Sequence, residues 1–339
     1  MVTRRVPLDL IFTYPHIMAR KEFGSRVSET TAIPLLAAEQ ALNVKGFIKW
    51  CFGLHYLDAM TELGSKPESP SNKLKAYFKL PVISEFNKDR LIVTEGVDFF
   101  LMAKFLGVGW IRVQMPKKIS EKWDSRSTEN LRAVIEQTKR TRLYAPILHE
   151  DFRSMNVSRS DSIRLDRFRR LLGCLGQGLC GLDIGCNIGH MSHHMQRQGF
   201  AMTGIDFDEF HLLVAYALNE TYGLDVKFLK CNFLEFESAY EYDITWALTV
   251  LCHIFFSEGV DPAFVARRVG QLTKSALFWE SGSNPEAEKE LILTHSGLSK
   301  YLSLGPTKGT GLKRQLGIFL RPGTKLAKDL IARYKKIFG

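Results

Sequence analysis

Five short apolar runs punctuate the chain between residues 180 and 280: Gly181–Gly185, Ala201–Asp206, Val226–Asn232, Tyr242–Val250 and Ala276–Glu280. Apolar positions between them return at helical spacing, which predicts helices starting near Gly189, Asp208 and Asp261. Asp208 and Asp261 suit N-caps, and Pro262 suits a first helical turn. Continuous apolar strands alternating with helices predict a parallel sheet covered on both faces. From Asp161 to Leu175, Ile163, Leu165, Phe168, Leu171, Leu172 and Leu175 share a helical stripe that leads into the first strand. A further helix is expected around Pro285–Leu298. Lys300–Leu304 and Gln315–Leu320 then read as strands joined by a Gly-Pro and Gly-Thr-Gly turn. Thr324–Phe338 reads as a basic amphipathic helix with Leu326, Leu330, Tyr334, Ile337 and Phe338 on one face, better suited to docking on the core than to lying on a membrane.

The first 120 residues follow another pattern. Ser65–Asn72 is a loop rich in Ser, Pro and Asn. Pro81–Ile83 and Leu91–Val93 read as strands, Val97–Leu106 as a helix, Gly107–Gly109 as a turn and Trp110–Val113 as another strand. A helical stretch is expected over Ser127–Leu143. The order strand, Glu95-Gly96-Val97-Asp98-Phe99, helix, then Leu106-Gly107-Val108-Gly109-Trp110, is similar to the ParB/sulfiredoxin-like fold. Members of that fold usually carry a His and an Arg at the helix start, and Asp98 and Phe99 stand there instead. The resemblance therefore implies a recognition or packing module without chemistry of its own. The expected domains are 1–120 (α+β), a helical linker 121–150, a catalytic domain 151–323 and the C-terminal helix 324–339.

The chemistry concentrates at Gly181-Leu182-Asp183-Ile184-Gly185-Cys186-Asn187-Ile188-Gly189. A strand runs into a carboxylate, then a glycine turn, then a helix. Glycine frees the backbone for conformations other residues avoid and lets it approach a ligand. About twenty residues on, Gly204-Ile205-Asp206 ends a second strand in a carboxylate, where nucleotide-binding α/β folds hold ribose hydroxyls. A nicotinamide dinucleotide fits less well. Its fingerprint wants a middle glycine where Asn187 stands, and Asp183 would repel a pyrophosphate. A ligand-free turn explains the glycines but not the second carboxylate.

D-x-G-C-x-x-G followed by G-I-D resembles the first two motifs of the class I S-adenosylmethionine-dependent methyltransferases. The resemblance implies a Rossmann-like, mostly parallel seven-stranded α/β sheet ending in an antiparallel pair, preceded by the smaller α+β domain. It implies S-adenosylmethionine as co-substrate. Gly185, Cys186, Asn187 and Gly189 would pass under its methionine part, Asp183 would orient the amino group and Asp206 would accept from the ribose. Phe207 would pack on the adenine. Asn232 stands where the family commonly has an acidic residue facing the adenine amino group, and a turn-forming role for it is equally open; Phe233 and Leu248 complete the expected lining. Tyr242–His253 resembles the fourth strand and the loop beneath the transferred methyl. His253 is a candidate general base or acceptor-orienting group, since imidazole exchanges protons near neutrality; a helix-start histidine packed beside Phe255 and Phe256 is the alternative. Glu280 is a second catalytic candidate on the acceptor side, or else a solvated strand end.

Composition narrows the partners. No stretch approaches the roughly eighteen apolar residues of a membrane span, and Leu8–Phe12, interrupted by Asp9, is too short for a secretory signal. Six cysteines without a C-x-x-C pair support neither zinc nor a disulfide framework and suit a cytoplasmic protein. No carboxylate cluster suggests a metal. The net charge of +10 is uneven: residues 299–339 carry ten Lys or Arg against one Asp, whereas 151–298 carry thirteen against nineteen acidic residues. Basic flanks can grip RNA or an anionic surface, or serve as solvated faces. The absence of an N/D-P-P-Y/F and of a Pro-Cys at the fourth strand disfavours methylation of adenine amino groups and of cytosine C5. The expectation is O- or N-methylation of a small molecule or saccharide. An RNA methyltransferase, or a scaffold that only binds the donor, are the alternatives.

Overall fold

The computed structural model describes residues 1–7, 11–12, 82–87, 90–95, 110–124, 128–138, 142–152, 154–158, 162–173, 175–309 and 312–338. The expected loop at 65–72, the helix at 97–106, the turn at 107–109 and the centre of the 309–311 turn lie outside them, as do Cys51 and Cys174. The chain divides into two compact units: residues 1–126 with 147–153, and residues 127–146 with 154–339.

In the first unit β1 (Val2–Pro7), β2 (Ile11–Phe12), β3 (Val82–Asn87), β4 (Arg90–Glu95) and β5 (Trp110–Met115) form one sheet in the order β1-β5-β3-β4-β2. The pairs β1–β5 and β3–β4 are antiparallel. Val6, Ile83, Leu91, Val93, Val113 and Met115 are fully buried in its core. A helix not visible in the apolar pattern, α1 (Lys117–Asp124), buries Trp123. Arg4 of β1 ties Asp124 at 2.8 Å.

The second unit begins with α2 (Glu129–Thr138), whose Asn130 donates to Glu220 at 2.6 Å. The helical stretch expected to reach Leu143 is helix over Glu129–Thr138 but not at Arg142–Leu143. Arg142–Leu143 is instead a short strand, β6, paired in parallel with β7 (Asn156–Val157). Then follow α3 (Ser162–Leu172), β8 (Cys180–Ile184), α4 (His190–Arg197), β9 (Ala201–Asp206), α5 (Glu209–Tyr222), β10 (Lys227–Lys230) and β11 (Tyr242–Leu248). The remainder is α6 (Leu251–Phe255), α7 (Pro262–Leu272), β12 (Thr273–Glu280), α8 (Pro285–His295), β13 (Lys300–Gly309), β14 (Leu312–Leu320) and α9 (Lys325–Phe338).

The seven strands run in the order β10-β9-β8-β11-β12-β14-β13, parallel through β12 and antiparallel on both sides of β14. This is the Rossmann-like, mostly parallel seven-stranded sheet ending in an antiparallel pair that the sequence resemblance implies. The pleat divides its apolar side chains between two cores. Trp246, Phe278 and Ile318 lie with Leu165, Phe168 and Leu330 on one face, while Ile184, Leu277, Trp279 and Phe319 lie with Phe255, Val265 and Val269 on the other. Asp208 caps α5 by accepting from Phe210 N and His211 N, and Asp261 caps α7 by accepting from Ala263 N and Phe264 N. α9 buries Ala327, Leu330 and Ile337 against its own unit. Its Arg333 donates to the carbonyls of Leu171 and Arg170 at the end of α3, at 2.6 and 3.0 Å, satisfying groups the helix leaves open. The apolar side of α9 is therefore covered by protein. Among the described residues no helix is long and apolar enough to cross a membrane.

Candidate functional site

The carboxyl ends of β8 and β9 set the geometry. After Ile184 the chain turns through Gly185 at φ 67° and Asn187 at φ 52°, and Gly189 at φ 74° precedes α4. The amides of Gly185 and Cys186 both donate to the carbonyl of Ile205, at 2.9 and 3.0 Å, which pins the turn to the neighbouring strand. A Cβ on Gly185 would lie 2.7 Å from Val250 Cγ2, so only glycine leaves room there. Asn187 tolerates its left-handed backbone because its own Oδ1 accepts from the amide of Ile188 at 2.9 Å.

Asp206, buried at the end of β9, accepts from Asn187 N at 2.8 Å through Oδ2 and from Asp208 N at 2.9 Å through Oδ1. Each carboxylate oxygen offers a second lone pair, the arrangement that adjacent ribose hydroxyls require. Asp183 lies deeper, one strand over and level with Gly204. Ser192 Oγ donates to it at 2.6 Å. Burial pushes its carboxyl up to about 7, although the Ser192 hydroxyl and the Arg164 charge pull the other way. A desolvated carboxyl beside a glycine turn fits a ligand that brings its own positive charge.

The other expected donor residues divide. Phe207 projects into solvent, 78% exposed, just past Asp206. Cys186 turns inward instead: its thiol is buried against Gly204 and pushed up by burial and the two nearby carboxylates. Only its backbone belongs to the turn surface. Asn232 caps a single 3-10 turn at 233–235, its Oδ1 accepting from Leu234 N at 3.1 Å, and so behaves as a turn former. Phe233 is buried in the core below, and Leu248 is half-buried at the end of β11, level with Glu280.

Of the two catalytic candidates, His253 is exposed on α6, four residues past Thr249. Its backbone amide bonds Val250 O at 3.0 Å. Glu280 departs from both sequence readings, since it is neither solvated nor presented to an acceptor. It is fully buried, accepting from Arg164 Nη1 at 2.9 Å, Thr249 Oγ1 at 2.5 Å and Thr307 Oγ1. Arg164, Thr249 and Thr307 were not singled out in the sequence. Arg164 is one of several arginines on α3, and nothing local links it to a partner 116 positions away. Nearby, Glu288 is buried, accepts from Gly282 N and Trp279 Nε1 at 2.8 and 3.2 Å, and is pushed up to about 7 by desolvation. It ties α8 to the end of β12. Among the described residues no group of three or more His, Cys, Asp or Glu could hold a metal. His193 and His194 are both buried in α4.

Comparison with known proteins agrees with this geometry. A family model described as a methyltransferase domain matches residues 182–269. The ubiquinone biosynthesis O-methyltransferase of Bordetella avium (strain 197N) is 32% identical over 170 residues, 46% of this chain and 68% of that protein. That of Stutzerimonas stutzeri (strain A1501) is 29% identical over 160 residues, 44% of this chain and 66% of that protein. Across the curated relatives it resembles, the chain spans between 28% and 68% of their length, and less than two thirds of the Stutzerimonas stutzeri protein. Among solved structures, the bifunctional kinase-methyltransferase WbdD aligns over 56% of this chain and 46% of its own, at 23% identity and a TM-score of 0.49.

Proposed function

Because the chain belongs to the class I S-adenosylmethionine-dependent methyltransferases, we propose that it methylates an oxygen of a small-molecule acceptor. The carrying observation is the pairing of Asp183 and Asp206, two enclosed carboxylates on adjacent strands with the Gly185–Gly189 turn between them. The choice of oxygen over nitrogen rests on the relatives, which are named O-methyltransferases. A phenolic or a saccharide hydroxyl satisfies the same chemistry.

The donor, when bound, supplies an electrophilic methyl group on a positively charged sulfur. Asp206 would receive the ribose hydroxyls and Asp183 would face the amino group. The backbone at Gly185 would let the methionine part lie close, and Phe207 would cover the adenine. In-line displacement needs little beyond alignment, so most of the acceleration comes from holding the acceptor oxygen against the methyl. His253, exposed on α6, takes the hydroxyl proton as that oxygen attacks. RNA and membrane surfaces are not part of this reading, because α9 turns its apolar side into its own unit and commits Arg333 to the end of α3.

The test is calorimetric titration with S-adenosylhomocysteine, followed by incubation of the protein with methyl-labelled S-adenosylmethionine and a cell extract. Micromolar binding and a labelled small-molecule ether or ester, found by mass spectrometry, are expected. Binding without any labelled product would favour a donor-binding scaffold. Label recovered in RNA would overturn the choice of acceptor.

A further inference from the structure

Thr249 carries a left-handed backbone at φ 63°. For a β-branched residue that conformation is an outlier, and it persists only where the surroundings over-determine it. Here one residue does so twice. The Thr249 amide donates to the Glu280 carbonyl at 3.0 Å, and the Thr249 hydroxyl donates to Glu280 Oε2 at 2.5 Å. Glu280 is held in turn by Arg164 of α3 at 2.9 Å and by Thr307 of β13. Glu280 has no exposed surface, and Arg164 and Thr307 have almost none. A carboxylate so enclosed meets no acceptor and moves no proton to one.

The turn it holds has two neighbours of consequence. Val250, the next residue, packs beneath the Gly185 backbone so closely that a methyl group on Gly185 would collide with it. Leu251 then opens α6, which carries His253. The turn at Thr249 therefore sets both the floor of the donor turn and the start of the helix on the acceptor side.

We propose that Glu280 is a positioning residue: braced by Arg164, it locks Thr249 in its left-handed turn and so fixes Val250 beneath Gly185. The inference rests on the reading of Gly185 as part of the donor pocket. It makes the buried ion pair, remote in sequence from the glycine motif, a determinant of donor affinity. A pair that only stabilised the fold would lower the unfolding temperature and leave the affinity of the folded protein alone.

Rescue separates the two. Glu280→Gln keeps the shape and removes the charge, whereas Thr249→Gly lets the backbone reach φ 63° without being held. With S-adenosylhomocysteine as the calorimetric probe, Glu280→Gln is expected to bind about 10-fold more weakly, the scale on which sub-ångström misplacement acts. Adding Thr249→Gly to that variant is expected to restore at least half of the loss, with amide exchange at 250–253 slowing in parallel. Folded Glu280→Gln with wild-type affinity, or a double variant no tighter than the single, overturns the proposal. Should Glu280→Gln fail to fold, Thr249→Val removes only the hydroxyl, and unchanged affinity in that variant overturns it as well. Failure of the wild-type protein to bind the probe removes the donor reading itself, an outcome distinct from a variant that binds normally.

Discussion

The amide of Asn187 donates to the carboxylate of Asp206 at 2.8 Å, across the carboxyl ends of two neighbouring strands. The glycine turn and the Asp206 carboxylate are therefore one piece of structure, and the second Asp206 oxygen also orders the entry to α5 through Asp208 N. Two kinds of loss follow from truncating it. Asp206→Ala removes the acceptors for the donor and leaves Asn187 N unpaired, whereas Asp206→Asn keeps one acceptor oxygen for either. Hydrogen bonds to charged groups contribute about 1.5–3 kcal/mol, so Asp206→Ala is expected to weaken S-adenosylhomocysteine binding roughly 10- to 100-fold, with Asp206→Asn intermediate. Calorimetry on the folded variants checks this, and equal affinities across all three would separate Asp206 from the donor.

Donor binding is expected to depend on pH through Asp183. Its folded-state carboxyl is raised to about 7, chiefly by burial, so the free protein keeps it protonated through mildly acidic conditions. A cationic ligand prefers the ionised form, and binding below that value must release a proton. Affinity for S-adenosylmethionine should accordingly rise between about pH 6 and 7 and level off above. Heats measured in two buffers of different ionisation enthalpy should differ below pH 7 and converge above it. Asp183→Asn should abolish both effects.

His193 and His194 govern acid stability with a definite sign. Burial, reinforced by neighbouring positive charge, holds both imidazoles well below their ordinary value; Arg197 is foremost among those charges for His193, and His190 for His194. At neutral pH each is uncharged in folded and unfolded chains alike. As pH falls below about 6.5 the unfolded chain takes up protons that the folded chain refuses, so stability falls with pH. Asp183 acts oppositely, since its raised value contributes stability at low pH that is lost as pH rises through about 7. Melting curves between pH 5 and 7.5 should therefore show His193→Gln less acid-sensitive than wild type. Asp183→Asn, in which the opposing group is gone, should be more acid-sensitive than wild type over the same range.

Much of this arrangement was legible because mostly apolar runs of strand length recur between helical stripes, and the first two run into Gly185 and Asp206. Asp208 and Asp261 announced their helices for the same local reason: a side-chain acceptor just ahead of an apolar stripe. Helix α6 was legible only as an alternative, a helix start at His253, because Val250-Leu251-Cys252-His253-Ile254-Phe255-Phe256 is apolar at nearly every position and prolongs a strand as readily as it starts a helix. Helix α1 was hidden by the reverse condition, a segment so polar that only Trp123 marks its inner side. Glu280 was noticed but misjudged. Its environment is made by α3 and β13, elements far away in the chain, and no spacing rule reports a partner supplied by tertiary packing. The direction of the Cys186 side chain was illegible for a similar reason: a residue inside a glycine turn points its side chain wherever the neighbouring strand leaves space, here toward Gly204.

His253 offers the sharpest division between binding and chemistry. It sits on the surface of a five-residue helix. Exposed substitutions away from caps and cores usually change stability by no more than about 0.5 kcal/mol. His253→Ala should therefore melt like wild type and bind S-adenosylhomocysteine with unchanged affinity. If the imidazole takes the acceptor's proton, turnover with the acceptor found by labelling should fall about 100-fold, within the usual range for a displaced general base. His253→Gly leaves a space that free imidazole can fill, and added imidazole should then restore part of the rate in proportion to its unprotonated concentration. A rate untouched by the substitution would return His253 to the surface of α6 and leave alignment alone to drive the transfer.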